Sequence, residues 1–243
     1  MLLAFRYSED LPLLRLDARP RLRTIHEDTR KDSLSVRSTL VVGGYLASVV
    51  SALFSVVLVL LAPGPIDPSS HALRYISQGM FDHCGLATAV LGTCCLLLFA
   101  CQLIAAAHME HTSALFFAVL QAAGWNVVLG VEDTGWTIHY VGLAVFLLAT
   151  IAYHWCASHD AAYGGPLYRA VTYVAIVIMF IFAVLASVAI ALRGSTATPQ
   201  TLAVAVEFAM MAAISAQNLC LINALDQFDD IHLQFSARRE LLV

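Results

Sequence analysis

An all-α fold, a polytopic bundle of six transmembrane helices with both chain ends on the inside, is what this sequence predicts. Three observations carry the prediction. Hydrophobic residues make up 60% of the chain and charged ones only 12%, too little polar surface to cover a water-soluble domain. The chain is divided into runs long enough to cross a hydrocarbon core of about 30 Å. Lys and Arg are distributed unevenly between the ends of those runs.

Stretches free of Asp, Glu, Lys and Arg extend over Ser38–Ile66, His83–Met109, His111–Val131, Thr134–His159 and Ala170–Leu192, and a sixth, Gly194–Leu225, is broken only by Glu207. Span cores are expected near 39–62, 84–107, 113–131, 135–156, 170–192 and 200–224. Strands are excluded because the runs are continuously apolar, whereas a lipid-facing barrel alternates every second residue. Six crossings place both termini on one side. That side would hold Arg6, Arg15, Arg19, Arg21, Arg23, Arg30, Lys31, Arg37, Arg169, Arg238 and Arg239, leaving only Arg74 and Arg193 opposite. The bias puts the termini inside, in the cytosol or, for a mitochondrial membrane, the matrix.

The domain reading follows: a polar arm over 1–38, the bundle over 39–224 and a short polar tail over 225–243, both ends lying on the inner side. The arm mixes charges of both signs with Pro12 and Pro20, and its Leu11, Leu13, Leu14, Leu16 and Leu22 suit a short helix lying on a membrane or protein surface. No cleavable signal peptide is expected, since "MLLAFRYSED" turns acidic early; "LLRLDARPRLR" is Arg-rich, but the arm around it is too acidic for a mitochondrial presequence. A net charge of −4 without a basic tract excludes nucleic acid as a partner. No pair among the six cysteines can be placed in an outer loop, so no disulfide framework is expected.

In the first span Gly43, Ala47, Ser51 and Ser55 recur every four residues, a smooth helix-packing stripe. Ala205, Ala209, Ala212 and Ala216 form a similar set in the last span. Both sets are read as packing surfaces within the bundle, with a dimer seam as the alternative.

Ionisable groups at membrane depth are costly, so they pair or they serve a function. Glu207 stands roughly 10 Å inside the outer start of the sixth span, counted at a rise of about 1.5 Å per residue. Asn126 is at similar depth in the third span, His139 one turn inside the fourth, and Glu132 and Asp133 in the loop between them. With Asp82 and His83 at the mouth of the second span, they form a candidate ligand-binding cluster in the outer half, under the loop "HALRYISQGMFDHCG". The cluster either receives a lipid head group, a small solute or a proton, or it only fixes helix register.

Haem is not expected. His139 and His154 are about 22 Å apart and about 60° around one helix, a spacing found on helices that carry two stacked haems, but a second helix would have to supply opposing ligands. His83 and His108 are about 37 Å apart, and the geometry does not close. "HMEH" at 108–111 and "DQFDDIH" at 226–232 lack zinc-like spacing, so no metal is expected. The only lysine is Lys31, and no phosphate loop, nucleophile elbow or zinc-protease motif is present. An enzyme is therefore not expected. A bound phospholipid is compatible with these features.

Four segments, "RYISQG" at 74–79, "GWNVVLGVED" at 124–133, "HYVGLAVF" at 139–146 and "VEFAMMAA" at 206–213, occur in an order that resembles the six-span DRAM/Frag/Sfk family over residues 40–225. Tyr75, Ser77, Gly79, His139 and Glu207 correspond to family positions by that resemblance. After Gly79 the family tends towards a proline-containing acidic segment, where this chain has "MFDHCG". The resemblance implies cytosolic termini and a non-enzymatic, lipid-related role in endolysosomal or plasma membranes. Membrane lipids are the expected partners. The alternative is an accessory subunit of a large membrane complex, such as a respiratory or ATP synthase assembly of the mitochondrial inner membrane, docked to other subunits through the arm and tail. A small-solute or proton transporter is a third reading.

Overall fold

The computed structural model describes residues 34–61, 76–109, 111–130, 136–191 and 197–226. Nearly all of the expected arm and tail fall outside them. The described residues form seven helices: α1 (Leu34–Leu61), α2 (Ile76–Asp82), α3 (Cys84–His108), α4 (Ser113–Gly130), α5 (Trp136–His159), α6 (Pro166–Ala191) and α7 (Ala197–Asp226). Six of these are long and apolar enough to cross a membrane, over Thr39–Leu61, Cys84–His108, Ser113–Gly130, Thr137–His159, Pro166–Val188 and Leu202–Asp226, which marks an integral membrane protein. The short α2, joined to α3 through a turn at His83, is an element the span count does not anticipate.

The long helices pack as a ring. α3 lies against α1 and α4, α4 against α5, α5 against α6, α6 against α7, and α7 returns to α1 while also touching α3 and α5 across the middle. The outward faces are apolar, with Leu46 and Leu53 on α1, Phe116 on α4, Leu148 on α5 and Phe180 on α6 all exposed. The buried set includes Gln102, Gln121, His154, Thr172, Glu207, Gln217 and Asn218. Polar groups set within a core that is itself largely apolar, beneath apolar outward faces, suit a bundle whose outer surface faces hydrocarbon.

Close helix approach depends on small residues. A Cβ on Gly124 would lie 2.6 Å from the Phe146 backbone nitrogen and 2.9 Å from the Gly142 carbonyl, so glycine lets α4 and α5 meet backbone to backbone. Of the first-span stripe, Ala47 and Ser55 are buried, whereas Gly43 and Ser51 are half-buried and Gly43 faces the Leu97 side chain of α3. The alanine row of α7 behaves differently from the packing expectation: Ala205, Ala209 and Ala212 are exposed and look away from the bundle.

The fifth long helix, α6, starts at Pro166, four residues before the span expected from 170. Proline needs no N–H partner at a helix start, and the tight turn before it is set by Asp160, whose carboxylate accepts the Ala162 N–H at 2.8 Å and whose carbonyl accepts the Gly164 N–H at 2.7 Å. Arg169, counted as a loop cation, therefore stands exposed in the first turn of α6, its N–H bonded to the Gly165 carbonyl. In the turn before the helix Tyr163 is buried, which with the nearby Asp160 charge pushes its phenol well above the ordinary tyrosine range.

Candidate functional site

Two polar layers cross the bundle. The first lies at the end where α1 finishes and α7 begins. Glu207, on α7, is buried, and its Oε2 accepts the backbone N–H of Ile76 at 2.7 Å; the N–H of Ser77 bonds to the same carboxylate. These are the first two amides of α2, donors that a helix start leaves without intrahelical partners. Glu207 thus caps α2 from another helix. Beside it Gly79 lies so close to α1 that a Cβ would come within 2.7 Å of the Leu58 carbonyl oxygen. His83 Nε2 lies 3.1 Å from the Leu61 carbonyl at the end of α1. The short helix is therefore tied to both α1 and α7.

The other residues of the expected outer cluster are placed as follows. His139 is buried on α5 and bonds to the Val128 backbone at the end of α4. Asn126 is exposed, its amide donating back to the Ala122 carbonyl at 2.8 Å. Asp82 is exposed at the end of α2. Ser77 and Gly79 lie on α2, Ser77 against Glu207 of α7 and Gly79 against Leu58 of α1, while Tyr75, Glu132 and Asp133 lie outside the described residues. Glu207, Ser77 and Gly79 are brought together; Asn126 is turned outward.

The second layer was not anticipated. About 8–14 Å in from the ends of the membrane-crossing stretches, on the side where α1 begins and α7 finishes, every long helix contributes a buried polar group: Ser48 on α1, Gln102 on α3, Gln121 on α4, His154 on α5, Thr172 on α6, and Gln217 and Asn218 on α7. Gln102 Nε2 donates to Asn218 Oδ1 at 3.2 Å, and the Tyr153 hydroxyl donates to the Gln102 carbonyl at 3.0 Å. His154 Nδ1 lies 2.6 Å from the Tyr168 hydroxyl. Gln121 Oε1, Thr172 Oγ1, His154 Nε2 and both amide atoms of Gln217 are buried without a partner among the described residues.

A half-open hollow of ≈ 50 Å³ reaches this layer between α1, α3, α4, α5 and α7. Its polar lining is Ser51, Gln102, Gln121, Ser215 and Asn218, and its apolar walls include Leu91, Phe99, Trp125, Phe146 and Ile214. Trp125 and Phe146 meet with ring centroids 4.8 Å apart, which fixes one wall. Among the described residues lining it there is no carboxylate, cation or imidazole; the cysteines Cys94 and Cys95 complete one side. Chemically, the hollow offers amide and hydroxyl hydrogen bonds inside an apolar shell.

No family model, no curated protein and no solved structure matches this chain.

Proposed function

We propose that this chain is a non-enzymatic integral membrane protein that acts by holding lipid and, through that lipid or its own apolar faces, neighbouring proteins, as the resemblance to DRAM/Frag/Sfk proteins implies. One observation carries the reading: a half-open hollow, walled by hydrocarbon and floored by neutral amides, in the middle of a bundle whose outer surface is apolar. Such a site binds an amphiphile by burying its hydrocarbon and pairing its polar end. The ionisable groups at membrane depth have structural partners, Glu207 at the start of α2 and His154 at Tyr168, which favours holding over transformation.

Native mass spectrometry of the gently solubilised full chain tests this. Retained lipid on a monomer or homodimer is the expected result. Recovery without lipid, at fixed stoichiometry with many other chains, would overturn it in favour of an accessory subunit. Solute flux across proteoliposomes that is lost on Glu207→Gln would overturn it in favour of transport.

A further inference from the structure

Building on the lipid-holding reading, we infer that the hollow takes the hydroxyl end of an uncharged lipid, and that the side-chain carbonyl of Gln121 accepts the hydroxyl proton. Charge decides the first part. The residues lining the hollow carry no cation to meet a phosphate and no anion to meet an amine, and an ion at membrane depth without a counter-charge is strongly disfavoured. The polar end must therefore be neutral.

Hydrogen-bond chemistry narrows it further. Ser51 already donates its hydroxyl to the Ser48 carbonyl at 3.1 Å, and Gln102 donates an amide proton to Asn218. Gln121 Oε1 is a buried acceptor with no donor among the described residues, on a side chain that is 6% exposed. A buried acceptor gains by receiving a proton. Ester carbonyls and ethers only accept, so they leave it unsatisfied; an alcohol both donates and accepts.

The hollow has room: its ≈ 50 Å³ exceeds the roughly 10–15 Å³ in which one water fits, so a hydroxyl and the carbon that bears it can enter. The hydrocarbon that follows lies against Leu98, Phe99 and Trp125. A sterol and a diacylglycerol are two lipids that present such an end.

The full chain in phosphatidylcholine nanodiscs, photolysed with diazirine analogues, tests the assignment. The probes are a sterol and a diacylglycerol, each with its hydroxyl free or capped as a methyl ether, and a phosphatidylcholine analogue. Saturable labelling within 91–102, 121–125 or 211–218 by a free alcohol is expected, with the capped form weaker by roughly ten-fold; the alcohol that labels identifies the source. Gln121→Leu should lower labelling by a similar factor. Ala122→Leu, which fills the hollow and leaves every amide in place, should do the same and carries the test if the first variant does not fold. Equal labelling by free and capped alcohols or by the phosphatidylcholine probe, or labelling unchanged in the variants that fold, overturns the assignment. Absent alcohol labelling with other lipid still retained in native mass spectra overturns this assignment alone; a chain that retains no lipid of any kind overturns the reading beneath it.

Discussion

The Glu207 carboxylate on α7 accepts the backbone N–H of Ile76, a residue 131 positions earlier, at 2.7 Å. A carboxyl group deep in a span is usually expected to face another side chain; here it is matched to the amides at the start of a seven-residue helix. Too short to be stable alone, α2 is held by this cap on one side and by the close approach of Gly79 to Leu58 on the other.

Replacing Glu207 by Ala should therefore release α2. The N–H groups of buried Ile76 and half-buried Ser77 would lose their acceptor, at about 1–3 kcal/mol for a buried polar group left unpaired. Glu207→Gln keeps one oxygen and should cost less. Equilibrium unfolding in mixed micelles reads the order, and hydrogen exchange over 76–82 should accelerate in the alanine variant before the other helices change. Equal stability of all three proteins would refute the cap.

Gly79→Ala should destabilise by about 1–3 kcal/mol, because the added methyl meets the Leu58 backbone and not a side chain able to swing aside. Gly85→Ala is the control: a Cβ there has nothing within 4 Å, and the loss of unfolded-state freedom should stabilise α3 by about 0.4–1 kcal/mol. The same unfolding titration measures both, and opposite signs are expected.

Much of the bundle is legible in the sequence, because a charge-free run of about 20 residues has few alternatives to a spanning helix. Glu207 is legible as a residue that needs a partner. Its partner is not, since a search for oppositely charged or imidazole side chains passes over backbone amides such as that of Ile76. Helix α2 is hidden by the polar residues of "ISQGMFD", which read as loop until tertiary contacts hold them. The start of α6 was readable from Gly164, Gly165 and Pro166, a turn followed by an N1 proline, and was obscured by Arg169. Gln102, Gln121, Gln217 and Asn218 are each visible in the sequence, but neutral amides do not interrupt a charge-free run, and nothing in one sequence tells that they share a level.

The amide pair Gln102–Asn218 should contribute modestly. Hydrogen bonds between helices in membranes average about 0.6 kcal/mol, because the separated helices find other partners. Gln102→Leu and Asn218→Leu should each be destabilising, and the double variant should lose less than the two singles combined. A double-mutant cycle on unfolding free energy measures the coupling; strictly additive losses would show that the 3.2 Å contact does not act as a pair.

Orientation is testable through Cys84, which is exposed at the start of α3, the end where Glu207 caps α2. From the Lys and Arg distribution that end is expected outside. In a variant keeping only this cysteine and carrying a C-terminal tag, an impermeant maleimide and a tag-cleaving protease should never reach their targets from the same face of a sealed membrane, and the tag should be reached from the cytosolic or matrix face. Both reached from one face would contradict six crossings.

His154 and Tyr168 offer the sharpest test of the inner layer. The ring is fully buried on α5, the phenol almost so on α6, and their 2.6 Å contact joins the two helices across the short turn at 160–165. Because Nε2 already has no partner among the described residues, Tyr168→Phe would leave an imidazole with neither nitrogen bonded, costing about 1–3 kcal/mol. His154→Phe with Tyr168→Phe removes both partners and leaves an apolar contact in their place. The double variant should therefore be more stable than Tyr168→Phe alone, by unfolding titration at a single pH. A double variant less stable than that single one would show that pairing with Tyr168 does not account for His154.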